Sequence, residues 1–465
     1  MQSTLGNNHG AQKSAALFSA MNILVFCFIL LGWQASPAAG AEISFWTTEV
    51  EKDRLNTQKE LAKDFEKQSG IRVKIIPVQE NRLNQRITAA YAARKLPDVM
   101  YHPLDYTMGW AESGILDTKA AEMVIKRLDQ SSFAQGPLEM VKTSKGHAAI
   151  PLDGWGQLLL YRKDLFKEKN LAKPDSWDKI LIAARALHNP PLLWGFEVAT
   201  DPGQTYTQQV FEHIALSGGV RLFDKSGQVN LNSKAMIDAL DFYKKLAQFT
   251  PPGNLYWLHT RMDYLSGRAA MIIWSPFILD ELSGLRKDQP VAPDLAQGKP
   301  GFLAQNTGFV TSIQGPRSKA QYGMVNYLGI TTDAQVKPAQ AWTEYLLEKG
   351  YTKWLAMAPE GKLPLRRGTP QDAKAFIKAW KELEFGVTKR ARISSFYGPE
   401  TVSAILKGAD DFDRWGFKAD KGYLMAQIYG SKLIPRILKR FLDGELTAAQ
   451  TALLMDQKVK ELQNK

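Results

Sequence analysis

Three tryptophans sit where an extended run ends, a place where a core residue is less expected: Trp46, Trp155 and Trp274. Around them stand side chains that accept or donate hydrogen bonds. Thr48 and Glu49 follow the first extended run, Glu80 follows the second, and Asp105 follows the third. Asp153 lies just before Trp155, Tyr206 is in a Gly-Gln-Thr-Tyr loop, and Arg366 follows a Leu-Pro pair. Flat aromatic faces hold apolar surfaces, and carboxylates, hydroxyls and a guanidinium hold polar rims. That combination is binding chemistry for a small solute.

Catalytic patterns are absent from the sequence. There is no Gly-x-Ser-x-Gly elbow and no phosphate-cradling glycine loop. Gly154-Trp155-Gly156 begins like a dinucleotide motif, but Leu159 stands where its third glycine belongs. The six histidines are dispersed without a His-x-x-x-His pair, so neither metal nor cofactor is expected. A pair of carboxylates for glycoside hydrolysis stays open, because their separation is a three-dimensional fact.

The elements that must position these residues follow from pattern. Ile43 and Phe45 share one face of a short strand, and a helix with Leu61 and Phe65 inside runs to Gln68. Gly70 stands where a left-handed residue ends a helix. Ile71, Val73 and Ile75 alternate as a second strand; Leu83, Ile87 and Tyr91 mark a helix face; Val99-Met100-Tyr101 opens a third strand. Strand, helix, strand, helix, strand makes a mostly parallel sheet with ligands held beyond the carboxyl ends of its strands. An apolar run through Ile150 to Tyr161, interrupted by Asp-Gly-Trp-Gly, reads as a crossing strand. Thr307 to Ile313 reads as a strand returning to the first lobe, and Gly361 to Arg366 as a third crossing. At the end of the chain Ala448, Ala452, Met455, Val459 and Leu462 mark a helix face behind Thr447 as N-cap.

Bulk properties narrow the class. The chain has 465 residues, 45% hydrophobic and 23% charged, as in soluble globular proteins. Ile23 to Leu31 is an uninterrupted apolar run too short to span a bilayer comfortably, and Ala39-Gly40-Ala41 offers a cleavage site. Residues 1–41 are therefore expected to be an export signal, with a retained anchor as the alternative. Its removal takes away Lys13 and the single cysteine, Cys27, and lowers the net charge from +12 to +11. A cysteine-free chain is indifferent to an oxidising compartment such as the periplasm. The basic residues are scattered, and no nucleic-acid partner is expected.

In five ordered blocks the chain resembles the extracellular solute-binding proteins, type 1, of ABC importers, the family that includes maltose-binding protein. The blocks are Ile43-Ser44-Phe45-Trp46, Phe65 to Val73, Leu96-Pro97-Asp98-Val99, Ile150-Pro151-Leu152 continuing to Tyr161-Arg162-Lys163-Asp164-Leu165, and Gly267-Arg268-Ala269-Ala270-Met271. Lys173 to Asp178 and Leu363-Pro364 add to them. The resemblance implies a two-lobed α/β periplasmic-binding-protein fold of type II, each lobe a mostly parallel sheet flanked by helices, joined by crossing hinge strands. Lobe 1 would comprise 42–152 plus 308–360, and lobe 2 would comprise 153–307 plus 361–465.

The same resemblance implies a carbohydrate clamped between the lobes, no catalysis, and delivery by a monomer to a membrane permease driven by a cytoplasmic ATPase. It matches Thr48 and Glu49 to the first-strand loop, Asp105 to an acid that bonds sugar hydroxyls, Trp155 to a contact after the hinge strand, and Trp274 and Phe277 to an aromatic platform. Micromolar affinity, about 8 kcal/mol, then needs several hydrogen bonds of about 1 kcal/mol each plus aromatic contacts. The Asp-Gly-Trp-Gly hinge and the segment from Phe385 to Lys421 depart from the family pattern. A non-sugar or anionic solute (a sugar acid, phosphate ester or polyamine) and a secreted carbohydrate-active enzyme are the alternatives.

Overall fold

The structure is a computed structural model and describes residues 40–292, 295, 301–418 and 421–464. The expected export signal lies outside the described residues except for Gly40 and Ala41. Among the described residues no helix is long and apolar enough to cross a membrane.

The first lobe begins with β1 (Glu42–Thr47), α1 (Lys52–Ser69), β2 (Arg72–Pro77), α2 (Glu80–Ala92), β3 (Val99–Pro103) and α3 (Leu104–Glu112). The alternation in β1 sends Ile43 and Phe45 to one face, where Phe45 meets Trp342 edge-on at 5.7 Å. Trp46 goes to the opposite face with Met100 and with Leu83 and Ile87 of α2. Tyr91, expected on that inner face, is 42% exposed, because α2 ends at Ala92 and its last turn clears the sheet. Gly70 has φ 71° and returns its N–H to the Glu66 carbonyl, which stops α1 as its position predicts.

The chain then runs through β4 (Ile150–Gly156) directly into β5 (Leu158–Arg162). Beyond them come α4 (Thr205–Ser217), β6 (Met271–Trp274), β7 (Thr307–Val310), β8 (Lys319–Ile330), β9 (Leu363–Pro364) and α5 (Gly422–Ser431). The main sheet has the order β9-β4-β8-β3-β1-β2. β1 is parallel to β2 and β3, while β8 is antiparallel to β3 and β4. A second sheet, β6-β5-β7, is antiparallel in both pairings, with parallel bridges from Trp194 and Glu197 at its edge. The mostly parallel pattern thus holds for β1 to β3 and not for the strands that link the sheets.

Thr307 to Val310, read as a strand returning to the first lobe, pairs instead with Leu159 to Arg162 in the second sheet. The return is made by β8. Gly154 and Gly156 let β4 and β8 close up: a Cβ on Gly154 would lie 2.4 Å from the Met324 carbonyl oxygen, and one on Gly156 2.2 Å from the Gln321 side chain. The final helix spans Ala448–Gln463 with Thr447 as its cap, and Ala448, Ala452, Met455 and Val459 are buried as their spacing predicts.

Candidate functional site

Side chains in or beside five strands of the main sheet gather around one buried ammonium group. Lys362 Nζ, just before β9, lies 2.5 Å from Glu49 Oε1, 3.1 Å from Asp153 Oδ2 and 2.9 Å from the Tyr101 hydroxyl. Asp153 has no exposed surface and also accepts from Trp354 Nε1 at 2.7 Å and Asn326 Nδ2 at 3.0 Å. Arg54 at the start of α1 completes the cluster, 2.6 Å from Glu49 Oε2. Burial opposes the Glu49 charge, but Lys362 and Arg54 overcome it and hold its carboxyl down at about 2. Glu49 and Asp153, both expected at the ligand, are here occupied in tying β1, β3, β4, β8 and β9 together.

Glu80 and Asp105 are the carboxylates beyond β2 and β3. Glu80 keeps solvent access, yet its pKa is raised, by burial of its surroundings first and then by the like charges of Asp105 and Glu49. Asp105 stands in the first turn of α3, where the helix dipole favours it. Its Oδ1 lies 3.0 Å from Nη2 of Arg414, a fully buried guanidinium from the C-terminal part of the chain. Thr48 is half-buried in the loop after β1.

Pairing of β4 with β8 sets Trp155 beside Met324 and two residues from Asp153, hence on the same face. Trp155 is half-buried, and no other ring or cation is stacked on it among the described residues. Trp274, at the end of β6, is half-buried. It stacks on Trp257 at 5.7 Å and meets Tyr206 edge-on at 5.2 Å. Its indole N–H is buried without a hydrogen-bond partner among the described residues. Phe277 is 36% exposed and its ring lies against Gly361, where an added Cβ would be 1.9 Å from it. One turn further on, both oxygens of buried Asp280 lack a partner among the described residues. Burial, then Glu360 and Glu281, push its carboxyl up to about 7.

Three expected site residues are placed as supports. Arg366 is wholly buried and donates to the carbonyls of Leu347 (2.7 Å) and Leu128 (3.1 Å). Tyr206 is buried under Trp274 and donates to the Ile273 carbonyl at 2.5 Å. Trp46 is buried with the Arg86 guanidinium 4.4 Å over its ring. Two residues escaped sequence reasoning. Lys362 carried a signal, a charge inside an apolar crossing segment. Arg414 carried only its place in the atypical stretch from Phe385 to Lys421. Among the described residues no group of three His, Cys, Asp or Glu side chains is set to hold a metal ion.

Comparison with known proteins follows the same line. The family described as bacterial extracellular solute-binding protein matches residues 51–353. YcjN of Escherichia coli (strain K12), whose name describes it as an ABC transporter periplasmic-binding protein, is 25% identical over 451 residues, covering 95% of this chain and 97% of YcjN. The cyclic alpha-maltosyl-1,6-maltose binding protein of Arthrobacter globiformis superposes with a TM-score of 0.69 at 14% identity, over 92% of this chain and 100% of that one. MalE3 of T. maritima, solved with maltose bound, gives 0.65 at 19% identity, over 91% of this chain and 100% of that one. These likenesses establish the fold: two lobes of the type II periplasmic-binding kind.

Proposed function

Because the chain belongs to the bacterial extracellular solute-binding proteins, as the match over residues 51–353 shows, we propose that it captures a carbohydrate or polyol between its lobes and hands it to an ABC permease. The observation that carries this reading is a pair of partly exposed aromatic side chains with no ring stacked on them among the described residues, Trp155 and Phe277, with the carboxylates of Glu80 and Asp105 standing beyond the ends of β2 and β3. Rings with apolar C–H faces and hydroxyl rims match that arrangement. Trp274 and Thr48 complete the proposed contacts. The two similar solved proteins are binders of maltose and of a maltosyl-maltose ring, which agrees with this class. The net charge of +11 without residues 1–41 mildly favours an anionic solute, but the exposed carboxylate of Glu80 beyond β2 disfavours one.

The protein works by binding, without turnover, as a monomer exported to the periplasm by residues 1–41. The lobe division is as the sequence suggests, 42–152 plus 308–360 against 153–307 plus 361–465, except that Thr307–Val310 goes with the second sheet, so that a solute touching both lobes is enclosed when they close about the crossings. A thermal-shift screen of sugars, polyols, sugar acids and polyamines tests this. A ligand at 100 times its dissociation constant adds about 2.7 kcal/mol of stability. Shifts with carbohydrates or polyols alone are expected. Shifts confined to sugar acids or polyamines, or sustained turnover of labelled oligosaccharides, would overturn it.

A further inference from the structure

We propose that Trp257 is a positioning residue: stacked on Trp274 and clamped by Arg261, it fixes the plane of the indole on which a sugar ring rests. This rests on the carbohydrate reading above, in which Trp274 touches the solute, and adds what holds that contact ready.

Trp274 ends β6 half-buried, and its indole N–H has no hydrogen-bond partner among the described residues. No hydrogen bond therefore sets the plane of the ring. The torsion that turns an indole about its stem is broad, so packing alone must set it. Two rings do so. Tyr206 meets Trp274 edge-on at 5.2 Å, and Trp257 stacks on it at 5.7 Å with 20° between the planes. Tyr206 is locked in turn, its hydroxyl 2.5 Å from the Ile273 carbonyl and 3.3 Å from Thr260 Oγ1.

Trp257 is held as firmly. It opens the helix Trp257–Leu265, and Thr260 and Arg261, three and four residues on, lie on its side of that helix. The Thr260 hydroxyl that meets Tyr206 also donates to the Trp257 carbonyl, at 3.2 Å. The Arg261 guanidinium carbon lies 4.9 Å over the Trp257 ring, and its Nη1 is 2.8 Å from Oε1 of buried Glu281. A planar guanidinium can stack on an aromatic face while a carboxylate holds its edge, which a lysine cannot match. A connected run of contacts, Glu281 to Arg261 to Trp257 to Trp274, thus ties the platform to a buried charge. A side chain already ordered in the free protein costs nothing to order on binding, whereas one that must be ordered then lowers affinity by about two- to tenfold.

The test is isothermal titration of glucose, maltose, cellobiose and sorbitol into the wild type, Trp257→Leu, Trp274→Leu and the double variant, each checked by circular dichroism for folding. Trp257→Leu is expected to weaken binding of whichever of these the wild type takes by about three- to tenfold. In the Trp274→Leu background the same change is expected to cost less than about twofold, because no indole is left to position; a merely structural loss would be equal in both. Trp257→Phe keeps a ring for the stack and covers the case in which Trp257→Leu does not fold. It is expected to recover most of the affinity and, through the changed ring current, to move the Trp274 indole N–H resonance, assigned by its loss in Trp274→Leu. An unweakened Trp257→Leu, an equal loss in both backgrounds, or an unmoved Trp274 resonance in Trp257→Phe would each overturn the inference while leaving the carbohydrate reading intact. Full affinity in Trp274→Leu would remove Trp274 from the proposed contacts, and no binding of any of the four solutes would overturn the carbohydrate reading; either result takes the inference with it.

Discussion

Replacing Lys362 by methionine would remove the one cation shared by Glu49 and Asp153, 2.5 and 3.1 Å from its ammonium. Both carboxylates are buried: Glu49 would keep only Arg54, and Asp153 only the neutral donors Tyr101, Asn326 and Trp354, against its desolvation cost. Glu49 alone gives a scale. Its carboxyl is lowered from 4.5 to about 2 against the opposing effect of burial, by Lys362 and then Arg54. At 1.36 kcal/mol per unit, that linkage contributes about 3 kcal/mol. Breaking a buried pair from one side costs about 3–5 kcal/mol in measured systems, which agrees. A carboxyl held below its ordinary value stabilises the fold above that value, and the contribution is lost as pH falls through about 2. Lys362→Met should therefore lose about 3–5 kcal/mol at pH 7 and much less near pH 3. Urea denaturation at both pH values measures this, and adding Glu49→Gln should recover part of the loss. A change below about 1 kcal/mol at pH 7, or an equal loss at both pH values, would refute the placement of Lys362 as the cation that ties these strands together.

Other outcomes follow from the same geometry. Arg366→Met removes the guanidinium donors to the buried carbonyls of Leu347 and Leu128, the latter keeping only the Ser132 hydroxyl, so it should cost about 1–3 kcal/mol in denaturation while the folded fraction keeps its solute affinity. Asp280 is raised from 3.8 to about 7 by burial and by Glu360 and Glu281. The stability tied to its protonated form is full below 3.8 and lost as pH rises through about 7. Asp280→Asn should thus stabilise the protein by about 3–4 kcal/mol at pH 8 and hardly at pH 4, read from denaturation midpoints at each pH.

Local pattern carried much of the first lobe. Alternation in Ile43–Phe45, the αL glycine at 70 and the spacing of Leu83 and Ile87 are short-range facts, and each element forms where they place it. The strand ends were legible as sites, but the face of each side chain was not. Trp46 and Phe45 are neighbours in sequence and lie in different cores. Roles that depend on distant partners were harder still. Arg366 bonds a carbonyl 238 residues away and Arg414 an acid 309 residues away, separations that no periodicity reports. The return strand was missed because Thr307–Val310 and Lys319–Ile330 are both apolar and extended. Only the pairing register decides which of them joins the first sheet.

The central claim is capture of a carbohydrate or polyol on the aromatic faces between the lobes. Isothermal titration of the strongest thermal-shift ligand into wild type, Trp155→Ala and Phe277→Ala measures it directly. Both side chains are partly exposed, and neither has a hydrogen-bond or ring-stacking partner among the described residues, so both variants should fold. One site per chain is predicted, with a negative heat-capacity change from buried apolar surface and at least about a tenfold loss of affinity in each variant. Affinity unchanged in both would place the solute elsewhere and contradict the account.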